Sequence, residues 1–209
     1  MAIVDADVAA RAGWTMTDLA AAYLSGGARL LQVRAKNAAS GWLLDIATAI
    51  VSLAHPAHAI VIVNDRADIA RLSGADGVHV GQNDLAPASA RRIGGATPGV
   101  EVIVGLSTHT AEQLEAALHA PVSYVAVGPV FRTDTKMTGY ASLGLEGVRR
   151  AAARAGEQGV PLVAIGGVTL ETAPEVVRAG AGTVAVISDL VAAGDPAARV
   201  RAYLARLTV

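Results

Sequence analysis

Eight short apolar runs recur along the chain, separated by segments of mixed polarity. They are AIVD (2–5), LLQVRA (30–35), AIVIVND (59–65), GVHVG (77–81), EVIVGLS (101–107), YVAVGPV (124–130), PLVAIGG (161–167) and TVAVISD (183–189). Most are nearly continuous rather than alternating in hydrophobicity. That pattern predicts parallel strands buried on both faces, because a half-solvated strand would place a polar residue at every second position.

Between these runs the period lengthens to that of a helix. SGWLLDIATAIVSLA (40–54) sets Leu43, Ile46, Ile50 and Leu53 on one predicted face, with Ser40 placed as N-cap. TAEQLEAALHA (110–120) opens with Thr110 and Gln113 at capping-box spacing. LGLEGVRRAAARAGEQG (143–159) and PAARVRAYLARL (196–207) are amphipathic. RADIARLSGA (66–75) and APASARRIGG (86–95) are shorter helical patterns. LETAPEVVRAGAG (170–182) carries Pro174, which a helix accepts in its first turn, and ends on glycines. Eight strands alternating with helices predict a compact (β/α)8 TIM barrel, one domain over residues 1–209. An open doubly wound sheet is the competing topology. It is disfavoured because no GxGxxG fingerprint follows the first strand.

Composition narrows the picture. Net charge is −1, which offers no electrostatic case for nucleic acid or an anionic membrane. A mean hydropathy of +0.44 raises the question of a membrane span. The longest stretch free of Asp, Glu, Lys and Arg, residues 46–64, is interrupted by His55, Pro56 and His58 and reads as two short elements. The chain has no cysteine, so thiolate catalysis, disulfides and Cys-ligated zinc are excluded. The start, MAIVDADVAARAG, has acids where a signal peptide needs bases, so a cytoplasmic location is expected.

In a parallel barrel the loops after the C-terminal strand ends build the site. Nearly every predicted strand here ends in functional groups: Asp5; Gln32, Arg34 and Lys36; Asn64 and Asp65; His79, Gln82 and Asp84; Ser107 and His109; Thr133, Thr135 and Lys136; Gly167; Ser188. Asp65 and Asp84 end neighbouring strands. They read either as oxygen ligands for a hard cation such as Mg2+ or as helix N-caps, since each precedes a helical pattern. Arg34, Lys36 and Lys136 read either as a grip on a pyrophosphate or as solvated surface charge. The glycines of AIGGV and the turn after GTVAVISD fit a phosphate held by backbone N–H groups, or an ordinary tight turn. His79, alternating with two valines, reads either as pointing into the barrel or as a core histidine with its hydrogen bonds met. Ser107 has no sequence-local base beside it and reads as a donor to an anion rather than a nucleophile.

Seven segments together resemble the thiamine-phosphate synthase (thiamine-phosphate pyrophosphorylase) family. They are QVRAK (32–36), VNDRADIA (63–70), GADGVHVGQND (74–84), GLSTHT (105–110), YVAVGPVFRTDTK (124–136), LVAIGGVT (162–169) and AGAGTVAVISDL (179–190). Ala35 stands where the family pattern has Glu. The resemblance implies a (β/α)8 barrel that joins 4-amino-2-methyl-5-hydroxymethylpyrimidine diphosphate to hydroxyethylthiazole phosphate and releases pyrophosphate. It implies Mg2+ on Asp65 and Asp84. It implies pyrimidine diphosphate contacts from Gln32, Arg34, Lys36, Asn64 and Lys136, with Ser107 beside them. Thr133, Thr135, Gly167, Ile187 and Ser188 would surround the thiazole phosphate. Arg34, Lys36, Ser107 and Lys136 are the expected catalytic group. The partners are two small phosphorylated substrates, and a homo-oligomer is left open. A related barrel, the thiazole tautomerase, would keep the phosphate site without the metal–diphosphate set, and a non-catalytic thiazole-phosphate-binding barrel is the other alternative.

Overall fold

The computed structural model describes residues 1–94, 101–133 and 139–207. In chain order the elements are β1 (Ala2–Asp5), α1 (Ala6–Arg11), α2 (Met16–Ser25), β2 (Leu30–Arg34), α3 (Ser40–Ala54), β3 (Ile60–Asn64), α4 (Ala67–Ser73), β4 (Gly77–Val80) and α5 (Pro87–Gly94). They continue as β5 (Ile103–Thr108), α6 (Ala111–Leu118), β6 (Tyr124–Val127), α7 (Gly144–Glu157), β7 (Leu162–Ile165), α8 (Ala173–Arg178), β8 (Thr183–Ala185) and α9 (Pro196–Leu207). All eight strands are parallel and pair in sequence order. β8 returns to β1 through a parallel bridge between Ala2 and Val186, with the Ile3 N–H donating to the Val186 carbonyl at 3.0 Å. The expected eight-stranded barrel is therefore the observed one.

Two apolar layers form because strand side chains alternate between the inside and the outside of the barrel. The larger packs the outward residues, such as Val4, Leu31, Val33, Val61, Val63, Val78 and Val80, against the helices. The smaller fills the interior with Ile3, Tyr124, Ala126, Val163 and Ala185. Gly105 has a steric reason to be glycine: a methyl group there would fall on the Tyr124 ring and on His79 Nδ1.

Beyond β1, the strands are shorter than their apolar runs. The run 124–130 pairs as a strand only to Val127, yet its continuation follows the β7 edge: Val130 N–H donates to the Ile165 carbonyl and Phe131 N–H to that of Gly166, both at 2.9 Å. Residues 46–64 divide as expected, with α3 ending at Ala54 and a 3-10 turn over His55–Ala57 before β3. Among the described residues no helix is long and apolar enough to cross a membrane.

Two expectations about helices are corrected. Ser40 is the first residue of α3 rather than its cap, and its hydroxyl accepts from Arg66 Nη1 at 3.0 Å. The buried face of α3 is Leu43, Ala47, Ile50, Val51 and Ala54, while Leu53 is exposed. Alanines let the helix lie close to the sheet, so the contact stripe runs through them instead of Leu53. Thr110 does cap α6, accepting from Gln113 N–H at 3.2 Å, but the Gln113 side chain reaches one residue further back, to His109 N–H at 2.8 Å. Pro174 sits in the first turn of α8, as expected.

Candidate active site

The C-terminal strand ends converge on one mouth, and the acidic pair is its most charged feature. β3 and β4 are adjacent, with Asn64 in register with His79. Asp65 follows β3 with φ of 63°, a left-handed conformation that Asp adopts more readily than most residues. Its N–H donates to the His79 carbonyl at 2.7 Å, and Arg66 N–H donates back to the Asn64 carbonyl at 2.8 Å. This tight turn brings the Asp65 carboxyl close enough to that of Asp84 for the two to interact. Burial, then the proximity of Asp84, push the Asp65 carboxyl above its ordinary range, and Lys36 opposes them. Lys36 Nζ lies 3.2 Å from Asp65 Oδ2.

Neither acid caps a helix. The N-cap of α4 is Arg66, and Asp84 Oδ2 instead accepts from Gly81 N–H at 2.8 Å, closing the loop after β4. Two adjacent carboxylates, one partly desolvated, form a pair that a hard divalent cation would relieve. Among the described residues no group of three or more His, Cys, Asp or Glu side chains is placed to hold a metal ion. A cation on Asp65 and Asp84 would take the rest of its shell from substrate oxygens and water, the usual habit of Mg2+.

Arg34, at the end of β2, forms an ion pair with Asp5 at the end of β1, and Asp5 also caps α1 by accepting from Val8 N–H at 3.0 Å. Arg34 is thus fixed by a carboxylate and largely shielded from solvent, whereas Lys36 is paired with Asp65 but stays exposed. Gln32, Arg34, Asn64, His79, Ser107 and Tyr124 line a small cavity inside the barrel mouth. An adjoining cleft, about 590 Å3 with its opening, is lined by Ser107, His109, Thr133, Gly166, Ile187 and Ser188 among others. The two cavities share Ser107, Ile165, Ala185 and Ile187.

Gly166 (φ 96°) and Gly167 (φ 67°) turn the chain after β7. A methyl group at Gly167 would meet the Arg132 carbonyl oxygen at 2.6 Å and Phe131 at 2.8 Å, so this glycine seats the segment that carries Thr133 into the cleft. The structure therefore gathers Gln32, Arg34, Lys36, Asn64, Asp65, Asp84, Ser107, Thr133, Gly167, Ile187 and Ser188 at one end of the barrel. Thr135 and Lys136 lie outside the described residues.

Sequence reasoning missed a contact at Ser107. His79 Nε2 lies 2.8 Å from Ser107 Oγ, and His79 Nδ1 lies 2.8 Å from Tyr124 Oη, so a base does stand beside the serine. His79 is buried, and the Tyr124 hydroxyl is pushed above its ordinary range by burial. A phenol stands at Nδ1 where a Ser-His-Asp triad has a carboxylate, and the chain Tyr124–His79–Ser107 holds the serine hydroxyl in place. Its signal in the sequence was the inward alternation of His79 and Ser107 with Gly105 clearing the space between. His109 also does more than its place in a loop suggests: it lines the cleft, and its ring stacks on Tyr140 at 4.5 Å between centroids.

Known proteins share this chain's sequence pattern and its barrel. The TMP-TENI family model, thiamine monophosphate synthase, matches residues 1–190. The chain belongs to the thiamine monophosphate synthase family. Relatives named thiamine-phosphate synthase include one from Koribacter versatilis, 41% identical over 91% of this chain and 85% of that protein. Another, from Thermus thermophilus, is 40% identical over 96% of this chain and 94% of that one. Among solved structures, thiamine phosphate pyrophosphorylase from Pyrococcus furiosus superposes with a TM-score of 0.86 at 29% identity, covering 99% of this chain and 93% of that one. A thiamine monophosphate synthase family member with this barrel is an enzyme of the transferase class.

Proposed function

We propose that this chain joins 4-amino-2-methyl-5-hydroxymethylpyrimidine diphosphate to hydroxyethylthiazole phosphate, giving thiamine phosphate and pyrophosphate. The observation that carries this reading is the pair of adjoining cavities at one barrel mouth, which share Ser107. The first is lined by Arg34 and by Asn64, which leads directly into the acidic pair Asp65–Asp84 with Lys36 beside it. The second is the glycine-bounded cleft at Ile187 and Ser188. A metal-bound diphosphate fits the first and a monophosphate the second.

Asp65 and Asp84 would hold the cation, for which Mg2+ is the ion of choice given an all-oxygen donor set. When bound, it supplies charge neutralisation to the leaving diphosphate. Lys36, Arg34 and Lys136 would hold diphosphate oxygens, while Gln32 and Asn64 would orient the aminopyrimidine in the interior cavity. Thr133, Thr135, Gly167, Ile187 and Ser188 would hold the thiazole phosphate.

The reaction that suits this site is a dissociative displacement. The bond between the pyrimidine methylene and the diphosphate oxygen breaks, and both of its electrons leave with pyrophosphate. The aminopyrimidine ring spreads the resulting positive charge, and the thiazole nitrogen lone pair then forms the new carbon–nitrogen bond. No protein nucleophile is required. The residues contribute placement and electrostatic stabilisation.

The test is a two-substrate assay with separate detection of thiamine phosphate and pyrophosphate, run with Mg2+ and again with EDTA. Equimolar products that disappear in EDTA are expected. Thiazole phosphate binding without any product would instead support a binding barrel.

A further inference from the structure

The cluster Asp189–Arg199–Tyr203 lies behind the cleft and takes no part in the roles assigned above. Asp189 directly follows Ser188 in the 3-10 turn Ser188–Leu190. Its carboxylate accepts from four groups on three residues. Leu170 N–H, from the loop after β7, donates to Oδ2 at 3.2 Å. Arg199 on α9 donates through Nε to Oδ2 at 3.1 Å and through Nη2 to Oδ1 at 2.9 Å. The Tyr203 hydroxyl, one helical turn further on, also donates to Oδ2. The Arg199 guanidinium in turn lies 6.0 Å from the Tyr203 ring centre and 3.9 Å from Glu171 Oε1. The Asp189 side chain is only 15% exposed and that of Arg199 19%, so these bonds are substantially shielded from water.

This carboxylate joins the two loops that wall the cleft. Leu170 is two residues beyond Val168, and Asp189 is one beyond Ser188; Val168 and Ser188 both line the cleft. α9 holds the junction from outside through a bidentate guanidinium, whose fork fixes the carboxylate plane as well as its position. Backbone groups that receive an anion must be held at a set separation to act together.

We infer that Asp189, held by Arg199 and Tyr203, is a positioning residue that fixes the spacing of the β7 and β8 loops for a monophosphate. It does not touch the ligand; it acts through Ser188 and the Gly166–Val168 turn. The inference rests on the assignment of this cleft to the thiazole phosphate.

The experiment compares the wild-type chain, Asp189→Asn, Tyr203→Phe and a remote control, Glu115→Gln. The control loosens the Glu115–Arg154 clamp between α6 and α7, whose bonds are 2.6 and 2.7 Å. Each is titrated calorimetrically with hydroxyethylthiazole phosphate and with inorganic phosphate, and KM is measured for both substrates. Asp189→Asn should raise Kd and KM for the thiazole phosphate roughly tenfold, with the pyrimidine diphosphate KM unchanged. Tyr203→Phe should shift them the same way by less, which keeps the test decisive if the Asn variant fails to fold. Glu115→Gln should lower the melting temperature without moving either KM. If Asp189→Asn and Tyr203→Phe lose stability yet bind both probes as wild type does, the positioning role is overturned. If the wild type takes only inorganic phosphate, and the Asn variant takes it more weakly, the role stands and the substrate assignment falls. A wild type that takes neither probe overturns both.

Discussion

Replacing Asp84 by Asn should separate the functional role of the acidic pair from its effect on stability, because the two change in opposite directions. Asn keeps the size of the side chain and an oxygen to accept from Gly81 N–H, which Asp84 bonds at 2.8 Å. It removes the carboxylate that, after burial, does most to push the Asp65 carboxyl upward. A carboxyl whose folded pKa lies above its unfolded value favours folding least once pH exceeds the folded value, so Asp65 weakens the metal-free fold at neutral pH. Two like unit charges about 4 Å apart repel by about 1 kcal/mol in water and about 4 kcal/mol at an effective dielectric of 20. Asp84 is exposed and Lys36 sits 3.2 Å from Asp65, so the low end, about 1 kcal/mol, applies. In a domain of this size that is about 2–4 °C in melting temperature. In EDTA, Asp84→Asn should therefore melt about 2–4 °C above wild type. Mg2+ should raise the wild-type melting temperature and leave that of the variant nearly unchanged. Turnover of the two substrates should fall about a hundredfold or more. Calorimetry in EDTA and in MgCl2, with pyrophosphate release measured alongside, reads all three. A variant that melts below wild type in EDTA, responds equally to Mg2+ and retains turnover would refute the paired-ligand reasoning.

Two further outcomes are expected. Tyr124→Phe removes the 2.8 Å phenol partner of the buried His79 Nδ1, which should destabilise the fold by about 1–3 kcal/mol in urea denaturation and lower kcat by loosening the Ser107 hydroxyl. Gly105→Ala pushes a methyl group into Tyr124 and His79. It should cost about 1–3 kcal/mol by overpacking and broaden or shift the His79 imidazole resonances in NMR, whereas alanine at the open, exposed Gly41 should do neither.

Much of this architecture was legible because strands buried on both faces write continuous apolar runs, and parallel barrels put consecutive strands side by side. Asp65 and Asp84 could be placed together from sequence for that reason: each follows one of two successive strands. The strand ends were not legible. TVAVISD is apolar through Ile187, yet β8 stops at Ala185, because Val186 turns to bridge β1 and Ile187 faces the cleft instead of a ladder partner. The partners of the charged side chains were also hidden. Asp5 reads as the end of a strand, but whether it caps α1, binds Arg34 or does both depends on the register of β1 against β2, where Asp5 and Arg34 are partners. The Ser107–His79 contact spans 28 residues and depends on the stagger of β4 and β5, which no local pattern encodes.

The position of Ser107 connects the fold to the chemistry. It is the polar side chain common to the interior cavity and the outer cleft, and the other residues they share, Ile165, Ala185 and Ile187, are apolar. Two anions brought to one mouth repel, and a site that merely concentrated positive charge would bind either substrate in either place. Here the cations that are paired with carboxylates, Arg34 and Lys36, stand with the acidic pair on the β1–β4 arc. The opposite arc, β6–β8, offers hydroxyls and glycine-opened backbone. On the proposed assignment a cation held by the acidic pair would draw the diphosphate to the first arc and leave the monophosphate to the second, and the apolar residues between them would exclude the water that could otherwise capture a methylene cation before the thiazole nitrogen reaches it. An Ile187→Ser variant tests that step: pyrophosphate release should then exceed thiamine phosphate formation, the difference appearing as hydrolysed hydroxymethylpyrimidine. Continued one-to-one product formation would mean that water is kept out by something other than this wall.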